Sequence, residues 1–369
     1  MAGRILKDNA TFRMRRDGWD AGMRWWMPRS LRSFAASMLS MDEPDHARLR
    51  STVEEAFRRR RILDMEPRIL ALADGFAAEL FADGSPADLV ERYARRLPLA
   101  VICELLGLPS ADRSRFIAWA QTLTRLTSVV GFLRMLAGIG RMRRYLEGQL
   151  QRARETGGEG LIAELVRIGQ EEGRISAEEM VAMVFLLLGA GSETTTHLIS
   201  GSAYELTKAP GLRDWLKEDW SRANLAIEEF LRFVSPVQFT KPRFVCREVE
   251  LAGVRLMPGD RIMAMLGAAN MDPETHMRPE KLNLARRPNR HLSFGTGSHF
   301  CLGHQLARIE TKCALEALFK RWPHLVLASP GAEIRWRRRP GMRAIETLMV
   351  APNSSLEAGR SSGRDHAED

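Results

Sequence analysis

The segment that most limits how this chain can fold begins at Ser176. Ser176-Ala177-Glu178-Glu179 reads as a capping box, in which the serine hydroxyl accepts from the amide three residues on and Glu179 reaches back to the Ser176 amide. A helix starts there and runs through Met180-Val181-Ala182-Met183-Val184-Phe185-Leu186-Leu187-Leu188, apolar on nearly every side. A helix without a polar face belongs in the middle of a protein. The rest of the chain must therefore wrap it, and 369 residues with 45% hydrophobic and 27% charged side chains suffice to do so. Disorder, collagen and a small stapled scaffold are excluded.

The wrapping is mostly helical. From about Asp45 to Lys208 apolar residues recur at threes and fours, broken by stop signals at Asp83-Gly84-Ser85-Pro86, Gly107-Leu108-Pro109 and Thr156-Gly157-Gly158. Phe244 to Leu256 is rich in Val and Leu around Ala252-Gly253, and Pro258-Gly259-Asp260 is a turn before Arg261 to Leu266. This predicts a short β-hairpin or small sheet. Cys301 to Trp322 returns to helical spacing, with Leu302, Leu306, Ile309 and Cys313 on one face. The length prior of roughly 150 residues per domain suggests two domains, yet no Gly/Pro-rich linker divides the chain. One mainly helical domain with a minor β region over residues 1–352 is expected, followed by a Ser-, Gly- and charge-rich tail over 353–369 that reads as disordered.

Fifty-five Lys and Arg against 46 Asp and Glu leave a net charge of +9, which admits an acidic partner, a phosphate-rich ligand or a membrane surface. The acids are interspersed, so nucleic-acid binding through Arg335-Trp336-Arg337-Arg338-Arg339 is set aside. Cys103, Cys246, Cys301 and Cys313 lie far apart with no Cys-x-x-Cys pair, which fits a reducing compartment. The N-terminus lacks a signal-peptide stretch, and Met180 to Leu188 is too short to span a bilayer. The expectation is a cytoplasmic protein that does not engage membranes.

Beyond Leu188 the central helix meets Gly189-Ala190-Gly191-Ser192-Glu193-Thr194-Thr195-Thr196-His197. Glycine costs about 1 kcal/mol in a helix and threonine is a weak helix former, so this stretch breaks local rules, as functional sites do. Two readings stand together. The glycines permit a close helix crossing while the hydroxyls bond back to carbonyls one turn earlier, or the glycines admit a flat ligand and Glu193 with Thr194 form an acid and alcohol pair able to move protons.

A second unusual stretch is Phe294-Gly295-Thr296-Gly297-Ser298-His299-Phe300-Cys301-Leu302-Gly303. Its glycines allow a tight loop, and the following helix directs its N-terminal amides at the sulfur, which favours a thiolate. Such a thiolate can be a nucleophile, a redox sensor or an axial metal ligand. Zinc bound by His299, Cys301 and His304 lacks a further cluster of soft ligands. An inert buried cysteine is the common fate of a lone Cys, yet it leaves the glycine loop without a reason.

These residues resemble the haem-binding signature of the cytochrome P-450 superfamily in its soluble bacterial form. Ala190-Gly191-Ser192-Glu193-Thr194 resembles that family's oxygen-activation motif, Glu229-Phe230-Leu231-Arg232 its Glu-x-x-Arg motif, and Asp45-His46-Ala47-Arg48-Leu49-Arg50 the start of the helix crossing the haem edge. The resemblance runs from about Ile5 to Pro352 and implies the cytochrome P-450 fold, a helical bundle around haem with small β-sheets. It implies haem b with Cys301 as the axial ligand of the iron, where thiolate donation favours O–O cleavage. Phe294, Gly295, Gly303 and Ala190 would border the haem, and His46, Arg50, Arg243 and His291 would meet its propionates. Glu193 and Thr194 would deliver protons to bound O2, and Glu229 with Arg232 would form a structural ion pair.

The implied reaction is insertion of one oxygen atom from O2 into a lipophilic small molecule, as hydroxylation or epoxidation. Electrons would come from a separate ferredoxin with an NAD(P)H-dependent reductase. A basic face of Arg48, Arg58 to Arg61, His304, Arg308 and Lys312 would receive that donor. Trp25, Trp26, Met27, Leu31, Val184, Leu187, Ala190, Val237, Phe239 and Ile345 match pocket positions. Two other outcomes are a peroxide-driven or non-oxidative haem-thiolate enzyme, which the Glu193-Thr194 pair disfavours, and a non-catalytic haem-binding or sensor protein. Relative to soluble bacterial members His46 stands several tens of residues early, so the chain is expected to be shortened at its N-terminus.

Overall fold

The structure is a computed structural model that describes residues 1–16, 19–20, 38–59, 62–124, 129–329, 331, 334–337 and 340–353; side chains at 19–20, 58–59, 120–124 and 129–137 are not described. The expected tail therefore lies outside the described residues apart from Asn353, as do Trp25, Trp26, Met27 and Leu31.

The capping box forms as the sequence implies: Glu179 N donates to Ser176 Oγ at 3.2 Å and Ser176 N to Glu179 Oε2 at 2.8 Å. The central helix it starts, Ala177–Lys208, runs unbroken for 32 residues. By length and composition this helix could cross a bilayer, but the protein's own helices surround it. They are α1 (Ala2–Lys7), α2 (Asp45–Arg59), α3 (Glu66–Glu79), α4 (Arg96–Leu106), α5 (Ser110–Thr124), α6 (Val129–Thr156), α7 (Leu161–Glu172), α8 (the central helix), α9 (Pro210–Glu218), α10 (Ala223–Val234), α11 (Leu266–Asn270) and α12 (His304–Arg321). α8 packs on α4, α6, α7, α9, α10 and α12, while α12 packs most extensively on α3.

The expected stops lie where helices end. Gly107 caps α4 with φ +77°, and α6 ends at Thr156 before Gly157. A Cβ on Gly107 would meet the Glu159 carbonyl oxygen, so only glycine admits this approach of two loops.

The β structure is minor. β1 (Phe12–Arg13), β5 (Arg243–Val245) and β8 (Arg261–Ile262) form one antiparallel sheet, with Phe12 opposite Val245 and Arg243 opposite Ile262. β4 (Ala87–Asp88), β10 (Met349–Ala351) and β9 (Val326–Leu327) form another. The expected hairpin is β6 (Val249–Leu251) and β7 (Val254–Leu256), turning at Ala252 and Gly253, both at positive φ. One large apolar cluster surrounds α8, and a smaller one gathers Ile5, Leu6, Phe12, Val245 and Leu266 beside α1.

One boundary differs from the sequence reading. Helical spacing appears from Cys301, but α12 begins at His304, and Cys301 lies in the loop ahead of it. The apolar period continues because Leu302 packs against the same core from a turn.

Candidate active site

The cysteine loop is a folded object with its own bonds. Cys301 N donates to Phe294 O at 2.9 Å, Phe300 N to Gly297 O at 3.0 Å, and Gly295 N to Leu292 O at 2.8 Å. Gly295 and Gly297 hold φ of +66° and +76°, a left-handed backbone that other residues adopt at a cost. A Cβ on Gly297 would lie 2.5 Å from Leu6 O. The loop is thus pressed against α1, and Asn9 Nδ2 secures it by donating to Ser298 Oγ at 2.9 Å.

The Cys301 thiol is mostly enclosed. Burial raises its pKa above the usual thiol range, and this outweighs the Gly303 amide and the positive charges of Arg50 and Arg308, which act the other way. Desolvation penalises the charged form, so in the protein alone it opposes the thiolate that the Gly303 amide favours. A bound cation can reverse this balance, because a coordinating thiol is deprotonated outright.

On α8 the hydroxyl residues do what the propensity argument allows. Thr194 Oγ1 donates to Ala190 O at 2.6 Å, Thr195 Oγ1 to Gly191 O at 2.9 Å, and Thr196 Oγ1 to Ser192 O at 2.8 Å. Gly191 marks a close helix crossing, since its Cβ would meet Ile102 at 3.0 Å. Gly189 does not: a Cβ there meets nothing within 4 Å, and Gly189 and Ala190 are exposed midway along an otherwise buried helix. The close crossing belongs to Gly191, while Gly189 leaves the helix bare at an exposed step. Glu193 lies one turn ahead of His197, with Oε1 3.9 Å from Nε2.

The four candidate propionate residues differ in their partners. His46 is 2% exposed and bonds Glu43 through Nδ1 at 3.2 Å, and its ring centre is 4.1 Å from that of His299. Burial, helped by His46, Arg243 and Arg50, pushes His299 down to about 3. Arg50 donates to Phe300 O at 2.7 Å, tying α2 to the cysteine loop. Arg243 Nη1 donates to Asn9 Oδ1 at 3.2 Å, Phe12 O at 3.3 Å and Ile5 O at 3.5 Å. His291 bonds Glu228 through Nε2 at 3.0 Å and accepts from Ser293 N through Nδ1 at 3.3 Å. Arg50 and His46 are thus brought beside the loop, whereas both ring nitrogens of His291 hold protein partners.

Glu229 and Arg232 meet with two contacts of 2.8 Å, both fully buried. Arg286 Nε at 2.9 Å and Asn289 Nδ2 at 3.1 Å also donate to Glu229. Sequence reasoning missed these two because they lie 57 and 60 residues away, as it missed Glu228, which takes Arg308 at 2.6 Å and His291 on the other side of α10.

Among the expected basic face, Arg48 pairs with Glu179 at 2.6 Å, Arg308 with Glu228 and Lys312 with Glu66 at 2.7 Å. The side chains of Arg58 to Arg61 lie outside the described residues. A depression of about 480 Å³ lies here, lined by Arg50, Phe57, Leu63, Leu302 and His304. Of the pocket positions, Val184 and Ile345 are buried in the main core, Leu187 is half-buried against it, and Val237 and Phe239 are half-buried after α10. Among the described residues no group of three or more His, Cys, Asp and Glu could hold a metal ion.

An iron porphyrin fits these residues. It needs a single enclosed sulfur, cations at one edge and an open floor, and Cys301, Arg50 and the bare Gly189 and Gly303 positions supply them.

Comparison with known proteins agrees. Residues 147–330 match the family model described as Cytochrome P450. Vitamin D(3) 25-hydroxylase of Pseudonocardia autotrophica is 41% identical over 314 residues, covering 85% of this chain and 77% of that protein. Mycinamicin IV hydroxylase/epoxidase of Micromonospora griseorubida is 37% identical over 81% of this chain and 75% of its own length. The crystal structure of CYP109E1 from Bacillus megaterium in complex with testosterone superimposes with a TM-score of 0.85 at 29% identity, covering 95% of this chain and 91% of that one. The chain belongs to the cytochrome P450 family and is a bacterial-type enzyme whose cofactor is haem b.

Proposed function

We propose that this protein is a haem-thiolate monooxygenase with one catalytic domain over residues 1–352, taking two electrons from a separate ferredoxin and its NAD(P)H-dependent reductase. When bound, haem supplies oxygen activation and insertion of one oxygen atom into a C–H or C=C bond. The chain's residues hold the cofactor and manage protons and access. Cys301 presents the iron ligand from a loop that α1 and Arg50 keep rigid. Phe294, under the Arg308 guanidinium at 4.5 Å, with Gly295, Gly303 and Ala190, borders the ring.

Arg50, His46 and Arg243 lie on the propionate edge, and His291 joins them only by giving up Glu228. Thr194 donates its proton to Ala190 O, which leaves its oxygen lone pairs as acceptors at rest. Glu193 is the proton-bearing group of the pair.

The substrate is lipophilic, with Val237, Phe239 and Leu187 as contacts. Relatives named for vitamin D3 and mycinamicin hydroxylation support that class. The depression between α2 and the start of α12 is the docking face for the donor, a face of paired rather than free charge. Four free cysteines suit the cytoplasm.

The single observation that carries this reading is the enclosed Cys301 sulfur on a glycine loop clamped from two sides. The ferrous protein under carbon monoxide is expected to show the strongly red-shifted thiolate Soret band, and Cys301→Ser to lose it. An unshifted band in the wild type would end the proposal.

A further inference from the structure

His197 is a buried histidine that the proposed chemistry does not use. Its side chain is 1% exposed, and among the described residues neither Nδ1 nor Nε2 has a partner within hydrogen-bond distance. Buried polar groups without partners are costly and rare, and each calls for a reason. His197 follows Glu193 by one helical turn, so their side chains share a face, and the 3.9 Å between Nε2 and Oε1 is about one ångström beyond a hydrogen bond. The other charged groups around the ring are Arg95, just ahead of α4, itself paired with Glu91 at 3.2 Å, and Arg337 near the C-terminal end. Burial is the largest influence and lowers the His197 pKa, Glu193 opposes it, and the Arg337 and Arg95 guanidinium groups lower it further.

A neutral imidazole can donate one hydrogen bond without adding a charge. The 3.9 Å gap is within reach of a rotation of the Glu193 side chain, which would bring the carboxyl onto the ring, a withdrawn station distinct from one extended along α8.

We propose that His197 is a positioning residue, whose ring N–H receives the Glu193 carboxylate in the withdrawn station and thereby sets the proton affinity of that acid. The inference rests on the reading of Glu193 as the proton-bearing group at the haem. Donation to a carboxylate favours its ionised form. Loss of His197 should therefore raise the Glu193 pKa.

The probe is carbon monoxide on the ferrous holoenzyme, whose C–O stretch reports the local field, followed by infrared spectroscopy from pH 5 to 9. The wild type is expected to titrate, and Glu193→Gln to abolish the titration. His197→Phe should move the midpoint up by about one unit, a tenfold change in protonation, and His197→Asn, which keeps a donor, should move it back. Ring nitrogen-15 resonances of His197 in the same carbonyl form should shift in Glu193→Gln. Equal midpoints in wild type, His197→Phe and His197→Asn would overturn the positioning role. A titration that survives in Glu193→Gln would instead remove Glu193 from the haem and the proposal with it. If His197→Phe fails to take up haem, the His197 resonance decides: no response to Glu193→Gln overturns the contact.

Discussion

At Glu229 two arginines, one asparagine side chain and the Asn283 amide all converge on a carboxylate with no exposed surface. At the centre of α8, His197 is as deeply buried and, among the described residues, neither ring nitrogen is within hydrogen-bond distance of a partner, while three threonine hydroxyls turn back to their own helix. Satisfied charge holds a fold in place but cannot move. Unsatisfied groups cost stability and are free to change partners. On the reading proposed above, the first region builds the fold and the second manages protons.

The largest effect that would break this comparison comes from the satisfied side. Glu229→Ala leaves Arg232 and Arg286 as buried cations without their shared anion, a change that costs about 3–5 kcal/mol. Denaturant unfolding should show that loss, together with failure to retain haem. A loss below about 1 kcal/mol would mean that the backbone carbonyls of Asn270, Pro279 and Lys281, which also accept from Arg232, hold this corner without the carboxylate.

Two other carboxyls sharpen the contrast through pH. Burial raises the pKa of Glu228, but bonds from His291 and Arg308 together outweigh it and hold the group at about 2. Its folded pKa is below the unfolded value of about 4.3, so its stabilisation is present above that value and fades as pH falls toward 2.

Glu310 is the opposite case. It is enclosed on α12 with Oε2 unpartnered, and burial alone lifts it to about 8. Here the folded state prefers the neutral acid, so stability declines as pH rises from about 4.3 to 8. Glu310→Gln should therefore stabilise the protein by roughly 4 kcal/mol near pH 7.5 and leave acid stability unchanged, whereas Glu228→Gln should weaken it by roughly 3 kcal/mol at neutral pH and flatten the acid limb. Denaturation curves from pH 3 to 8.5 check both, and variant curves parallel to the wild type would refute the two environments.

What the sequence made legible follows from range. The capping box, the Gly107 stop, the β6–β7 turn and the Glu229–Arg232 pair each lie within a few residues, where spacing fixes geometry. The fold class also follows, because an all-apolar helix has to be wrapped. Contacts at long range left no periodic trace: Arg286 and Asn289 on Glu229, Glu228 between His291 and Arg308, and α1 against Gly297. At Cys301 the opposing influences differ in the same way. Helix amides are visible in a sequence, whereas the depth of burial that opposes them exists only in the packed chain.

The smallest expected effect tests whether the central helix sacrifices stability for space at Gly189. Glycine inside a helix is about 1 kcal/mol less favourable than alanine, and here a Cβ would meet no protein atom within 4 Å. Gly189→Ala should therefore stabilise the protein by up to ~1 kcal/mol. If that step is where the ligand lies against the helix, the same methyl should weaken the spin-state response to a lipophilic ligand about fivefold, or roughly 1 kcal/mol. Gly191→Ala is the control, because its Cβ would press on Ile102 at 3.0 Å and should destabilise the packing of α4 on α8. A Gly189 variant that gains stability with unchanged ligand response would make the bare step a tolerated local fault. Gain and loss together would show that the helix gives up stability at this position to keep ligand space open.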